Sequence, residues 1–295
     1  MGNSESSTKN ESTKVVHTGL PSKDVPVPED IAEKVGNAIK NHTAETPTFD
    51  IIRGCYSGNT PYTLESTLSG VVYTPLALAC RRAHVDLIEF LLHEMKADPN
   101  PPPYDFFEIP ALENLMLNED KPDKALAGAK VMIRRGANPN AQNCGGGTAY
   151  TKAIDIFSSQ SPTFIRELLM VLATKDGTIT DLSAITTPTS ALNKSWKSDN
   201  LEGNTIEVKE GSPLHLAVAL ENTVAALVML ELGVDPNART AGINNFTCLE
   251  LLGRFTTPNV ALQETIEAIV ADPTKAQKAT EIYDGLVAAK KKATE

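Results

Sequence analysis

The sequence predicts an all-α protein built as a solenoid of about five stacked helix pairs. The main observation is internal repetition: TPLALACRRAHVDLIEFLLHEMKADPN at 74–100 aligns with SPLHLAVALENTVAALVMLELGVDPN at 212–237, with one extra residue in the first segment. Aromatic residues make up only 5% of the chain, which favours packing of small helical residues over an all-β core. One helix pair cannot bury both of its apolar faces alone, so repetition predicts a stack.

Each of the two repeated segments carries start and stop signals for helices. Thr74 stands before Pro75, and Ser212 stands before Pro213. A hydroxyl group can cap the first amides of a helix, and proline fits its first turn. Both segments end in Asp-Pro-Asn, where proline stops the second helix. The apolar faces of the two second helices are predicted to be Leu87, Ile88, Leu91 and Leu92, and Val224, Leu227, Val228 and Leu230.

Three units with weaker patterns complete the array. One begins at Ile109 and ends in RRGANPN, another begins at Thr148, and the last begins at Thr247. The five unit starts, at 74, 109, 148, 212 and 247, are separated by 35, 39, 64 and 35 residues. All spacings but one therefore fit a single repeat, and the exception marks an insertion at 174–211, which is expected to be irregular.

The repeated pattern resembles the ankyrin repeat, which begins TPLHxA and runs for about 33 residues through a β-turn and two helices. SPLHLA at 212–217 is the closest match, and the resemblance covers roughly residues 74–270. It implies an extended concave surface, made of turn tips and first helices, that binds proteins. It also implies that His215 forms hydrogen bonds around its turn and is not a catalytic base.

The repeats at 74–270 are flanked by segments of different composition. Residues 1–28 are rich in Ser, Thr, Asn and Lys, which predicts a disordered arm. Residues 29–73 are predicted to form a helical N-terminal cap, and residues 271–295 a C-terminal helix and tail that caps the last repeat. The outermost units of a solenoid need such polar covers.

Candidate partner contacts are chosen from helix ends, turn tips and the insertion. An arginine at a helix end is either solvated or an anchor for an acidic partner, which it binds through paired hydrogen bonds. Trp196, in the polar insertion, either tucks against the solenoid or is an exposed contact residue. Insertions and turn tips lie on the recognition side of solenoids. The candidates are Arg81, Arg82, Gly146, Trp196 and Asn244.

Several classes of function find no support in the composition. The net charge of −10 and the pI of about 5.1 argue against nucleic-acid binding. The four cysteines are too far apart in sequence for a metal-ligand pair, and no nucleophile with a matching base is evident. We therefore expect a protein-interaction scaffold that is not an enzyme and uses no cofactor or metal. The alternative is a regulatory subunit, or an enzyme with an unrecognised active site in 174–211.

The N-terminus carries a lipidation pattern. Residues 1–6, MGNSES, fit M-G-x-x-x-[ST], which predicts N-myristoylation of Gly2. No secretory signal and no run of about 20 apolar residues is present. We expect a cytoplasmic protein with reversible peripheral membrane contact. Because one myristoyl chain binds only marginally, Lys290–Lys292 is the candidate second signal.

Overall fold

A helical array with one member for each predicted unit forms the centre of the protein. The computed structural model describes residues 29–55, 73–100, 109–143, 146–175, 178–179, 194–196, 206–208, 211–240 and 245–294. The five units are the helix pairs α3 (Pro75–Arg81) and α4 (Val85–His93), α5 (Ala111–Leu115) and α6 (Pro122–Arg134), α7 (Ala149–Ile156) and α8 (Pro162–Ala173), α9 (Pro213–Ala219) and α10 (Thr223–Glu231), and α11 (Cys248–Leu252) and α12 (Val260–Ala271). The predicted all-α solenoid is confirmed.

The helices are arranged in two layers along the array. First helices pack against first helices of neighbouring units, in the order α3, α5, α7, α9 and α11. Second helices α4, α6, α8 and α10 pack in the same order on the other side. Each unit thus buries the apolar faces of its neighbours, and the core is continuous along the stack. Leu91 and Leu227, predicted to be buried, are 0% and 5% exposed.

The predicted helix starts and turns are formed as the sequence indicates. The hydroxyl of Thr74 accepts a hydrogen bond from the amide of Ala77 at 3.1 Å. In the Asp-Pro-Asn turns, the Asp98 carboxylate accepts from the amide of Asn100 at 2.8 Å, and Asp235 does the same for Asn237 at 2.9 Å. These side chains satisfy backbone groups that the ends of helices leave open.

Neighbouring units are also joined by buried asparagines at the loop between the two helices. Asn118 donates to the carbonyl of Cys80 at 3.0 Å, and Asn222 donates to that of Ile154 at 3.4 Å. Both asparagines are buried. Since the acceptor belongs to the preceding unit's first helix in each case, these bonds fix how one unit sits on the next.

The N-terminal cap consists of α1 (Glu29–Lys40) and α2 (Thr48–Cys55). Helix α1 packs against α2 and against α3 of the first repeat. Val35, Ile39 and Ile52 are fully buried in this contact region. These two helices lie at the N-terminal end of the stack, and the bounds predicted for the cap stay a prediction.

The C-terminal tail forms a 3-10 helix (Pro273–Lys278) and the helix α13 (Ala279–Thr294). Helix α13 packs against α12 and also reaches back to α10, the second helix of the fourth unit. Ile282 and Leu286 are half-buried, and Val287 is 43% exposed. The tail is thus laid across two second helices rather than stacked only on the last repeat.

The insertion contains short strands where the sequence was expected to be irregular. Strand β1 (Thr174–Lys175) pairs antiparallel with β2 (Thr178–Ile179), and β3 (Lys194–Trp196) with β4 (Ile206–Val208). The dipeptide Asp176-Gly177 between β1 and β2 is a strong hairpin signal, which the expectation of irregularity overlooked.

Candidate binding surface

The turn that precedes α7 is built on a buried carboxylate of the neighbouring unit. Glu113 of α5 is fully buried, and its Oε1 accepts from Nδ2 of Asn143 at 2.6 Å. The Oδ1 of Asn143 accepts from the amide of Gly147 at 2.9 Å, and its own amide donates to the Gly147 carbonyl at 2.9 Å. The Glu113 side chain therefore holds a turn that lies on the face formed by turn tips and first helices.

Burial changes the charge state of this carboxylate. It raises the pKa of Glu113 to about 7, against the opposing effects of the Asn143 hydrogen bond and the charge of Lys152. The Oε2 of Glu113 and the Oδ1 of Asn114 are buried with no hydrogen-bond partner among the residues that the structure describes. A buried acceptor without a donor is unfavourable. These two oxygens therefore lower the stability of the fold at this position.

Sequence reasoning missed this pair of polar residues, although the repeat alignment contained the signal. Aligning the starts Ile109 and Ser212 places Glu113 opposite Leu216 and Asn114 opposite Ala217. Both Leu216 and Ala217 are buried. The register alone therefore places a carboxylate and an amide at core positions of the second unit. Buried polar residues at such positions are candidates for a role beyond packing.

Arg81 and Arg82 lie at the end of α3, as the sequence predicted. Arg81 is the last residue of the helix, and Arg82 follows it as the C-cap residue. Both side chains are exposed, and neither forms an ion pair with the described residues. The two guanidinium groups are thus available at the surface, and their contact with a partner stays a prediction.

The other predicted contact residues have different surroundings. Gly146 is buried and has φ +74°, a conformation that favours glycine, so it shapes the turn before α7. Trp196 ends β3, where its backbone pairs with Ile206. Asn244 and Gly2 lie outside the described residues. For all four, a contact with a partner or lipid stays a prediction.

His215 forms the hydrogen bonds that the family resemblance implied. Its Nε2 donates to the carbonyl of Phe246 at 3.1 Å, in the next unit. Its Nδ1 accepts from the amide of Ser212 at 3.2 Å, which requires the neutral imidazole. Burial lowers the pKa of His215, against the backbone hydrogen bonds that favour the charged form. The side chain is a structural link between the fourth and fifth units.

A shallow groove of about 530 Å³ lies on the opposite side, between the cap and the second helices of the first two units. Phe49 and Phe90 meet edge to face with ring centroids 4.8 Å apart. The Arg53 guanidinium lies 5.0 Å from the Phe90 ring centroid and 2.6 Å from Glu94. The groove lining is Phe49, Arg53, Asp86, Glu89, Phe90, His93, Glu94 and Arg135.

Two cysteines are buried in first helices, Cys80 in α3 and Cys248 in α11. Burial raises the pKa of their thiols far above the ordinary value, so neither is a thiolate at neutral pH. Among the residues with a described position, no group of three or more His, Cys, Asp or Glu is placed to hold a metal ion.

Comparison with known families decides which repeat this is. Residues 73–102, which hold α3, α4 and the turn after them, match the model of the ankyrin repeat. This chain contains an ankyrin repeat. Ankyrin repeats are modules for protein–protein interaction, so the coarse functional class follows from the family. No protein of curated function matches the sequence.

Two solved structures resemble this chain at low sequence identity. One is a chain from the complex of the Bd0816 predatory endopeptidase of Bdellovibrio bacteriovorus with immunity protein Bd3460: TM-score 0.47, 12% identity, 84% of this chain and 96% of that chain covered. The other is the human ASB11 ankyrin repeat domain: TM-score 0.46, 12% identity, 82% and 97% covered. Both are distant likenesses, and the repeat units themselves carry the conclusion about the fold.

Proposed function

We propose that this ankyrin repeat protein is a scaffold that binds a protein partner through its first helices, its turn tips and the insertion at 174–211. The observation that carries the proposal is the position of the insertion. It leaves the stack after α8 and returns at α9, which is the place where the other units have their turn tips. An insertion there enlarges the recognition side without interrupting the helical stack.

Arg81 and Arg82 supply the charge that such a surface can use. Both are exposed at the end of the first unit's first helix. Arginine binds carboxylates through two parallel hydrogen bonds, so we propose that the partner presents acidic side chains to this position.

Affinity purification from native cells, followed by measured binding of the recovered partner, tests the scaffold. We expect Arg82→Glu to weaken binding at least tenfold, since it replaces attraction by repulsion. Arg134→Glu makes the same charge change at the end of the second helix α6 and serves as the matched control. If the two variants bind the partner equally well, Arg82 does not contribute to the binding surface.

Deletion of 180–206 should leave the helical circular dichroism spectrum unchanged and reduce binding of the partner. If binding is unchanged by the deletion, the insertion does not contact the partner.

We further propose that the scaffold attaches reversibly to membranes through a myristoyl group on Gly2. Among the described residues, no helix is long and apolar enough to cross a bilayer. Lys290, part of the candidate second signal, is engaged by Glu264 at 3.0 Å, which reduces its attraction for an anionic surface. Attachment should therefore depend mainly on Gly2. The test is fractionation of wild type and Gly2→Ala after labelling with myristate in a eukaryotic cell; equal membrane fractions would contradict it.

A further inference from the structure

The junction between the N-terminal cap and the first repeat contains two histidines and one carboxylate. His42, in the turn between α1 and α2, is buried and lies 2.9 Å from Asp86 Oδ2 through its Nε2. The ring of His84, which precedes α4, lies edge to face with that of His42, with centroids 5.1 Å apart. The cap and the repeat thus meet at a pair of imidazoles that share a single neighbouring carboxylate.

The hydrogen-bond pattern of this cluster suits a neutral imidazole at His84. The Nε2 of His42 lies 2.9 Å from the Asp86 carboxylate, and its Nδ1 is buried with no hydrogen-bond partner among the described residues. The Nε2 of His84 is likewise buried with no partner in the described part of the chain. A charged imidazole carries a proton on both nitrogens, so protonation of His84 requires an acceptor that this contact does not supply.

Most of the charges around His84 oppose its protonation. Those acting on His84 are His42 from the cap, Asp86 from the first turn of α4, and Lys121 and Lys124 at the start of α6. Burial lowers the pKa of His84, and His42 and the two lysines lower it further, whereas only Asp86 favours its charged form. Burial acts to raise the pKa of Asp86, but its hydrogen bond with His42 and the other favourable contacts outweigh this and hold it below the ordinary value.

We propose that this junction is a proton-operated clasp: it holds the α1–α2 cap on the first repeat at neutral pH and releases it when His84 is protonated. A proton on His84 adds an N–H group for which the closed junction supplies no acceptor, and separation of the cap from the repeat lets water accept from it. The proposal is independent of the partner surface on the first helices.

Opening of the clasp would also change the surface of the molecule. Phe49 and Arg53 of α2 form one wall of the groove. Phe90 of α4 and Glu94, which follows α4, form the facing wall. Movement of α2 away from α4 takes these walls apart. The groove is therefore present at neutral pH, when the clasp is closed, and is lost when it opens.

The direction and size of the pH effect follow from linkage. A histidine whose pKa is lower in the closed state than in the open state stabilises closure above about pH 6.5, and that stabilisation is lost as the pH falls. In the open state an imidazole with an ordinary pKa of about 6.5 is mostly charged at pH 5.5. If His84 stays neutral in the closed state, the opening equilibrium rises about tenfold between pH 7.5 and pH 5.5.

Hydrogen exchange of the full chain, corrected for the intrinsic pH dependence of exchange, tests the clasp. We expect amides of α1 and α2 to lose about tenfold of their protection between pH 7.5 and pH 5.5, with those of α13 unchanged. His84→Asn should remove this response. Asn222 occupies the equivalent position in the fourth unit, where its side chain caps the following helix, so the variant fits the fold. His93→Asn, an exposed histidine on the same helix, is the matched control and should keep the response.

Three results would overturn the clasp: equal cap protection at both pH values, a full response in His84→Asn, or a loss spread evenly over all five units. A titration of the imidazole signals by NMR gives a test on the unaltered chain. We expect the His84 ring to remain neutral below pH 6.5. Titration of His84 at the ordinary pH of an imidazole, about 6.5, would contradict the clasp.

Discussion

The two ends of the repeat array are fastened by different chemistry. The N-terminal cap is held by the His42–Asp86 contact and by aromatic rings, including Phe49 against Phe90. The C-terminal helix is held by Arg166 of α8, which donates to both carboxylate oxygens of Glu231, at 2.6 and 3.0 Å, and to the hydroxyl of Thr280 at 2.6 Å.

This difference determines how each end responds to pH. Imidazole changes its charge near neutral pH, whereas guanidinium stays charged throughout. Burial acts to raise the pKa of Glu231, but the hydrogen bonds from Arg166 and Thr280 outweigh it and hold it below the ordinary value. The Glu231 contribution is therefore present above the ordinary carboxylate pKa and is lost only in stronger acid. With the clasp, the attachment of the N-terminal end depends on pH in the physiological range. The attachment of the C-terminal end does not.

The largest expected effect comes from shortening a buried side chain in a unit near each end of the array. Leu91→Ala in the first unit and Leu227→Ala in the fourth should each lower the free energy of unfolding by about 2–5 kcal/mol, because each leaves a cavity. Urea unfolding followed by circular dichroism measures both. Because neighbouring units share interfaces, each variant should destabilise more than its own unit. Val287→Ala, on an exposed position of α13, is the control; two unchanged midpoints for the leucine variants would refute the repeat register.

The carboxylate in the middle of the array should respond to pH in the sense opposite to the N-terminal junction. The pKa of Glu113 is raised to about 7, so its contribution is most favourable below the ordinary value near 4.5 and is lost as the pH rises through about 7. Glu113→Gln cannot lose a proton. We therefore expect its free energy of unfolding, relative to that of wild type, to be higher at pH 8 than at pH 5 by about 2–3 kcal/mol, from this pKa difference.

Urea titrations of wild type and Glu113→Gln at the two pH values check this. Glu119→Gln, an exposed carboxylate in the following loop, is the control and should show no such difference. A constant difference between Glu113→Gln and wild type from pH 5 to pH 8 would show that the carboxylate ionises normally.

The C-terminal clamp should be weaker than the core and insensitive to mild acid. Arg166→Ala removes both bonds to Glu231 and the bond to Thr280, and we expect a loss of about 1–2 kcal/mol, reduced by the partial exposure of the arginine. Lys130→Ala breaks the single, half-exposed pair with Glu167 at 2.6 Å and should cost under about 1 kcal/mol. Thermal melts at pH 7.5 and pH 5.5 should give the same difference between Arg166→Ala and wild type. A difference that shrinks at pH 5.5 would contradict the fixed character of this end.

The sequence predicted what is local and periodic. Thr74-Pro75 and Ser212-Pro213 marked helix starts, and the Asp-Pro-Asn turns marked unit ends, because capping and proline act within a few residues. The Arg166–Glu231–Thr280 clamp joins three separate elements, and nothing in the spacing of these residues announces it. Position along a solenoid fixes which units touch, but it does not fix which long side chains meet.

The candidate surface divides in the same way. Arg81 and Arg82 were predicted because a helix end next to a loop is exposed in almost any packing. The Glu113–Asn143 contact crosses from one unit to the next, and it could be located only once the register of the weak second unit was certain. The degenerate start at Ile109 concealed that register, since it lacks the hydroxyl residue of the better units.

The smallest expected effect concerns a backbone difference between the first unit and the later ones. After the second helix, Gly136 and Gly233 have φ values of +85° and +84°, and the equivalent residue of the first unit is Lys96 with φ +55°. This left-handed conformation suits glycine and is unfavourable for other residues. Lys96→Gly should therefore stabilise the protein by about 0.5–1 kcal/mol, since the exposed lysine forms no ion pair with the described residues.

The reverse exchange sharpens the comparison between the two ends. Gly233→Ala in the fourth unit should destabilise by about 1 kcal/mol, because it places a side chain at the same left-handed position. Lys96→Ala is the matched control for loss of the lysine side chain, since it keeps the unfavourable conformation. If Lys96→Gly and Lys96→Ala melt at the same temperature, the backbone of the first unit is not strained at this residue. If only the glycine variant is stabilised, the first repeat holds a turn that the later repeats form with less strain, and the N-terminal end is the weaker one in its backbone as well as in its clasp.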